Sequence, residues 1–370
     1  MEEAITYVGL DVHKTSIEVG LADGGRAGEV RHYGRIEATP AAAAKLFAKL
    51  SQGGRRLSAC YEAGPCGYGL YRQLRSLGHD CMVVAPSLIP KKPGERVKTD
   101  RRDCLALARL HRAGELTGVW VPEPAHEAMR DLVRTRMAAQ RGLKRTRQEL
   151  QGFLLRHGRI YQGRSPWTRA HRLWLAGLRF EHPAQQIALQ DMLSAIEAQD
   201  LRRQGLERQI VQLLPDWSMA PVVEAYQALR GVSVLTAVVL AAELGDLSRF
   251  SHPRQLMGYL GLTSSENTSA TRRRQGAITK AGNTHARRLL VESAWSYQLP
   301  ARLAPAKLAR IEHLPKPVRD LAWKAQVRLC ARFRRLKAST RSPNIAVVAI
   351  ARELAAFVWA IARIVPPRTA

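Results

Sequence analysis

Asp11, Glu62, Asp100 and Asp103 stand at positions from which carboxylates could share a metal ion. Asp11 follows the apolar run Tyr7-Val8-Gly9-Leu10 and Glu62 follows Leu57-Ser58-Ala59-Cys60-Tyr61, so each is expected at the end of a strand. If the two strands are neighbours, the two carboxylates converge at one edge. Asp100 and Asp103 open a helical pattern and share one face of it. Crowded carboxylates repel and raise one another's pKa unless a cation is present. Magnesium or manganese is the usual resolution, because hard cations take oxygen ligands and keep waters that a phosphate can displace. The chemistry such a site serves is attack on a phosphodiester, which needs a polarised phosphoryl oxygen, an activated nucleophile and charge relief at the leaving oxygen. Each acid also has a plainer role: Asp100 and Asp103 complement a helix dipole, Asp11 caps a turn, and Glu62 is a surface residue. The four together, at two strand ends and a helix start, favour the metal site. His13, by strand alternation, is assigned to the face opposite Asp11 and to a structural role.

The elements that must position these acids are legible in the hydrophobic pattern. Three short alternating runs, 5–10, 16–22 and 30–36, with an Asp23-Gly24-Gly25 turn before the last, predict a strand meander. A helix over 41–50, a strand over 57–61, a helix over 68–77, a buried strand over 81–85 and a helix over 100–112 follow, making an α/β domain. From Glu127 to Arg156 the pattern becomes a long basic helix, and 185–214 reads as a second, separated from it by a break over 158–183. The pair is either an antiparallel, coiled-coil-like arm or two ordinary bundle helices. An apolar helix over 234–244, a Gly/Ser/Thr-rich loop over 258–282, a helix over 284–297 and a basic helical tail complete the chain. The expected domains are 1–125, 126–215 for the arm, 216–300, and 301–370 for the tail.

Charge narrows the partners. Lys and Arg number 58 against 31 Asp and Glu, a formal +27 in 370 residues. Neutralising a phosphate backbone is the economical use of that excess, with a basic membrane surface or a merely basic globule as alternatives. No stretch approaches about 18 uninterrupted apolar residues, since Arg352, Glu353 and Arg363 interrupt the most apolar one, so no membrane is expected. The acidic start Met1-Glu2-Glu3 is unlike a signal peptide, and a cytoplasmic location is expected. Five scattered cysteines with no Cys-x-x-Cys spacing argue for free thiols and against zinc. There is no Gly-x-x-x-x-Gly-Lys-Ser/Thr loop, so ATP use is not indicated.

Three blocks, Gly9-Leu10-Asp11-Val12-His13-Lys14, Glu62-Ala63-Gly64-Pro65-Cys66-Gly67 and Lys98-Thr99-Asp100-Arg101-Arg102-Asp103, resemble the acidic blocks of the DEDD transposases of bacterial insertion sequences. Leu229-Arg230-Gly231-Val232-Ser233, Glu243-Leu244-Gly245-Asp246, Gly258 to Thr263 and Ile278-Thr279-Lys280-Ala281-Gly282-Asn283 resemble that family's second domain in order and spacing. Two departures are Ser233, where the family commonly has Gly, and Ser264, where Pro usually follows Gly-Leu-Thr. The resemblance implies a RuvC-like, ribonuclease-H-type domain joined to a mainly helical, serine-bearing transposase domain, and a recombinase that cuts and rejoins donor and target DNA.

The resemblance also implies a serine nucleophile, and Ser269 matches its place best, ahead of Ser264 and Ser265. A hydroxyl needs activation; His252 and His285 lie outside the loop, so metal-assisted attack is favoured, with the carboxylates of one subunit serving the serine of another. Lys14, Lys98, Arg101, Arg102, Arg272, Arg273, Arg274, Lys280, Arg287 and Arg288 are the candidate nucleic-acid contacts, with a solvated surface as their alternative. Members of the resembled family carry a structured bridge RNA that chooses target and donor, and the basic stretch 130–159 and the tail are places to hold one. A homodimer or homotetramer is expected. The alternatives are a RuvC-like nuclease that uses water and needs no Ser269, and a binding scaffold whose acids are only caps and turn residues.

Overall fold

A computed structural model describes residues 5–90, 99–269, 274–339 and 342–368. Lys98, Arg272 and Arg273 lie outside the described residues. The chain divides into two compact units, Met1–Val121 and Pro122–Ala370.

In the first unit the elements run β1 (Ile5–Val12), β2 (Ser16–Asp23), β3 (Val30–Glu37), α1 (Pro40–Leu50), β4 (Arg56–Glu62), α2 (Gly69–Ser76), β5 (Asp80–Val84) and α3 (Asp100–Arg112). They form one five-stranded sheet of order β3-β2-β1-β4-β5. β1, β2 and β3 pair antiparallel, and β1–β4 and β4–β5 pair parallel. This mixed α/β arrangement is consistent with a ribonuclease-H-type domain.

Alternation splits the sheet into two faces. Val8, Leu10, Val19, Leu21, Ala59 and Tyr61 belong to one buried cluster with Leu46 and Phe47 of α1 and Leu74 of α2. The other face carries Gly9 and Gly20, which pair with each other across β1 and β2. A Cβ built on Gly9 would meet the Cys104 carbonyl oxygen at 2.3 Å and the Ala108 amide at 2.4 Å, and one on Gly20 would meet Cys104 at 2.6 Å. The backbone of α3 therefore rests in a groove that only glycine leaves open. Gly9→Ala is expected to push α3 off the sheet at a cost of about 3 kcal/mol, read as a lower midpoint in thermal or urea unfolding.

The second unit begins with α4 (Pro124–Arg156), α5 (Arg169–Gly177), α6 (Pro183–Leu213) and α7 (Ala220–Tyr226). It continues with α8 (Val234–Leu244), α9 (Pro253–Tyr259), a hairpin of β6 (Ser264–Glu266) and β7 (Gln275–Ile278), and α10 (Thr284–Ala294). It closes with α11 (Pro305–Ile311), α12 (Lys316–Ser339) and α13 (Pro343–Ile364). α4 and α6 run antiparallel: Arg136 pairs with Glu207 near one end, and Leu143, Leu150, Leu189 and Ile196 share a cluster toward the other. The segment read as a break contains α5, whose Leu175 is buried in this cluster and whose buried His171 accepts the Trp167 amide through Nδ1 at 3.0 Å. Short helices at 220–226 and 253–259 and the hairpin were not legible as elements, because each is too brief to show a period.

α13 is long and apolar enough by composition to cross a membrane. It instead packs against α7, α9, α10 and α12, burying Val347, Ile350, Leu354 and Val358. Its Glu353 accepts from Arg328 of α12 at 2.8 Å and pairs with Arg332. These are the contacts of a core helix.

Candidate active site

Parallel pairing of β1 with β4 sets Leu10 opposite Tyr61, so the next residues, Asp11 and Glu62, lie at the same edge of the sheet, Asp11 still paired with β2 and Glu62 with β5. Both share the face of Gly9 and Cys60, the face on which α3 lies. Helix α3 starts at that edge: the Thr99 hydroxyl accepts the Arg102 amide at 3.3 Å, and Asp100 and Asp103 occupy the first turn.

Asp11 is the most enclosed of the measured pair, its side chain 19% exposed against 48% for Asp100. Burial pushes its carboxyl above the ordinary value of 3.8; His13 draws it down, and the charges of Asp103 and Asp100 push it up again. His13 Nε2–H donates to Asp11 Oδ2 at 3.2 Å and stands 3.6 Å from Asp100 Oδ2. One ligand atom from each of Asp11, His13 and Asp100 lies within 4.8 Å of the others. The expectation that His13 faces away from Asp11 is thus corrected. Residues two apart on a strand share a face, and the chain turns beyond Val12 without reversing that.

Asp11, His13 and Asp100 form a group that could hold a metal ion, with the charge of Asp103 beside it and Glu62 at the same sheet edge. Like charges gathered beside a partly buried carboxylate are unfavourable without a cation, which is the condition this chain creates. Lys14 is exposed beyond the strand end, and Arg101 and Arg102 are exposed on the first turn of α3. A cleft of about 830 Å³ next to the cluster is lined by His13, Lys14, Thr39, Cys66, Leu70 and Gln73, among others.

Sequence reasoning passed over Glu18. It sits opposite Asp11 in the β1–β2 register, is only 6% exposed, and is held by His32 at 2.7 Å and Arg35 at 2.5 Å. The signal that could have found it is a lone acid inside an otherwise apolar strand, Ile17 to Ala22.

In the second unit Ser269 is exposed on the loop that joins β6 to β7. The Asn267 amide donates to the Arg274 carbonyl at 2.9 Å, closing the loop base. Arg274, Lys280 and Arg288 are exposed; Lys280 holds φ +57°. Arg287 NH1 donates to the Leu260 and Ala281 carbonyls at 2.8 and 2.7 Å, tying the loop to α10. A groove of about 930 Å³ beside the hairpin is rimmed by Arg254, Arg328, Arg332 and Arg352, which the sequence did not single out because they come from three separate helices.

The helices beneath this loop are braced by a buried charge. Glu243, its side chain 0% exposed, accepts two bonds of 2.9 Å from Arg134 of α4 and one of 2.8 Å from Asn283. Asn283 also caps α10. Burial pushes the Glu243 carboxyl up, but the bonds from Arg134 and Asn283 outweigh it and hold it below the usual 4.5. A lowered folded pKa contributes stability above the ordinary value that is lost as pH falls through the folded one. Arg134→Met, which strands that charge, is expected to cost about 3 kcal/mol at neutral pH. The loss should shrink as pH falls, because the buried carboxyl stripped of Arg134 takes up a proton above its ordinary value whereas the paired one does so only below it; urea melts at neutral and acid pH check it.

A family model described as Transposase, of the DEDD IS110 type, matches residues 8–158, and the Transposase IS116/IS110/IS902 family model matches residues 224–306. The chain is 50% identical to the putative transposase y4qE of Sinorhizobium fredii, over 96% of this chain and 88% of that one. It is 31% identical to the transposase for insertion sequence element IS1533 of Leptospira borgpetersenii, over 90% of this chain and 96% of that one. A probable family 20 transposase of Pseudomonas aeruginosa is 27% identical over 83% of this chain and 85% of its own length.

Proposed function

We propose that this chain, which belongs to the IS110-type DEDD transposases of insertion sequences, cuts and rejoins DNA with its carboxylate cluster and Ser269, directed by a bound RNA. The observation that carries the reading is the convergence of Asp11, Glu62 and the first turn of α3 at one sheet edge. Asp11, Asp100, Asp103 and Glu62 would hold magnesium or manganese, with His13 as a further ligand or as the group that orients Asp11. A cation held there would supply polarisation of a phosphoryl oxygen and charge relief at a leaving oxygen.

The residues of the chain do the rest. The Ser269 hydroxyl attacks phosphorus, forming a phosphoserine diester; the sugar oxygen that leaves takes up a proton. Rejoining is the reverse, with the free sugar hydroxyl of a different strand displacing Ser269. One phosphodiester replaces another at each step, so no nucleotide cofactor is needed. Lys14, Arg101, Arg102, Arg274, Lys280 and Arg288 steer the phosphate backbone, as do Lys98, Arg272 and Arg273. The basic face of α4 and the C-terminal helices hold a structured guide RNA, whose pairing chooses the sites in the cytoplasm of the host. A homodimer or homotetramer supplies enough active sites for two duplexes. A net charge of +27 supports nucleic-acid partners for the whole chain.

The test uses protein purified with its own RNA on supercoiled DNA bearing the ends of the insertion sequence. Strand cutting should require Mg²⁺ or Mn²⁺, stop with EDTA, and fall at least about tenfold after ribonuclease treatment. Cutting indifferent to EDTA would contradict the metal site, and cutting indifferent to ribonuclease would contradict the guide.

A further inference from the structure

The acids of the proposed site leave Glu18 and Arg35 without a role, yet both are built into it. We propose that Arg35 is a ligand for the phosphate of the strand being cut, and that Glu18 is the positioning residue that aims it. The inference rests on the carboxylate reading above.

The geometry begins with a bulge. β2 and β3 pair Glu18 with Arg35 and Gly20 with His32, with a register shift at Val19 and Gly20. Residues 32 and 35 would ordinarily point to opposite faces. The extra residue, next to Gly34 at φ +129°, brings both to the face of Asp11 and α3. There they converge on one buried carboxylate: Arg35 Nε donates to Glu18 Oε1 at 2.5 Å, and His32 Nε2 stands 2.7 Å from Oε2. A carboxylate this buried needs such partners, so Glu18 fixes the guanidinium rather than the reverse.

Holding an arginine through Nε directs its terminal nitrogens elsewhere. Arg35 NH2 lies 4.0 Å from Asp100 Oδ2, and the side chain remains 62% exposed. The guanidinium therefore stands at the mouth of the acidic cluster with an N–H edge that fits phosphate oxygens. It also supplies positive charge where a phosphate must approach several carboxylates. Lysine, a flexible point charge, would keep the attraction and lose the aim.

The experiment uses the full-length protein with its RNA and a labelled duplex carrying the insertion-sequence end. Affinity is measured against KCl with Ca²⁺ in place of Mg²⁺, and cutting rates with Mg²⁺. Arg35→Ala should reduce the slope of log affinity against log salt by about 0.9, the loss of one phosphate contact. Arg35→Lys should restore the slope but cut on the order of tenfold slower, and Glu18→Gln should keep the slope and show the same slow cutting. Because Arg35 is exposed and His32 still partners Glu18, Arg35→Ala should melt within a few degrees of the parent. A parental slope in Arg35→Ala, or no rescue of it by lysine, overturns the phosphate contact. A parental rate in Glu18→Gln overturns the positioning role. Asp11→Asn run alongside separates the two claims: if it cuts normally the carboxylate reading fails, whereas an inactive Asp11→Asn beside a parental Arg35→Ala removes only this proposal.

Discussion

Asp11→Asn is expected to lower Mg²⁺-dependent cutting by at least about 10³-fold, some 4 kcal/mol of barrier, while leaving the metal-free fold as stable as the parent or more so. The two halves of that expectation have one cause. Asp11 is enclosed, and Asp100 and Asp103 add to what burial does, so its folded pKa stands above the ordinary carboxylate value. A carboxylate raised in the folded state stabilises below its ordinary pKa, and that contribution is lost as pH rises through the folded value. At neutral pH without metal the ionised group opposes the fold, and an uncharged isostere removes the opposition. With metal the same charge is the ligand, and its loss removes charge stabilisation worth several kcal/mol in the transition state. Thermal melts with and without Mg²⁺, set beside cutting rates, measure both halves. A residue that merely capped the strand would show the opposite pattern, with lower stability and little effect on rate per folded molecule.

Ser269→Ala is expected to abolish rejoining and covalent capture of DNA, with unfolding free energy unchanged within about 0.5 kcal/mol, as befits an exposed loop position. The contrast with Asp11 is informative. Removing the hydroxyl leaves the acids and their metal intact, so a nuclease that uses water would go on cutting. Strand breakage that persists in Ser269→Ala at the parental rate would favour that hydrolytic reading. Loss of both breakage and joining, with metal binding retained, is what the serine account requires.

The alternating strands and long amphipathic helices of this chain announce themselves in its sequence. Helices 100–112 and 234–244 are placed to the residue, because a Thr or Ser cap opens each and the apolar period runs to the end. The positions of Asp11 and Glu62 at strand ends were legible for the same reason, and the parallel register then brings them to one edge. What was not legible depends on contacts distant in sequence. His13 was assigned to the wrong face by misapplying a period of two. Gly9 and Gly20 look like weak points in strands until α3 is seen lying on them. Glu18 reads as an interruption, and only a bulge in the neighbouring strand explains how His32 and Arg35 both reach it. The pairing of Glu243 with Arg134 spans 109 positions and has no local signature.

The central claim is that the carboxylates and Ser269 act on the same phosphodiester. It is tested most directly by trapping the protein on the insertion-sequence end in Mg²⁺, digesting it, and locating the nucleotide adduct by mass spectrometry. The account predicts a phosphodiester on the peptide bearing Ser269, formed by the parent protein, absent with EDTA, and absent in both Asp11→Asn and Ser269→Ala. Cut DNA with no adduct, an adduct on another residue, or an adduct that forms without divalent metal would contradict it.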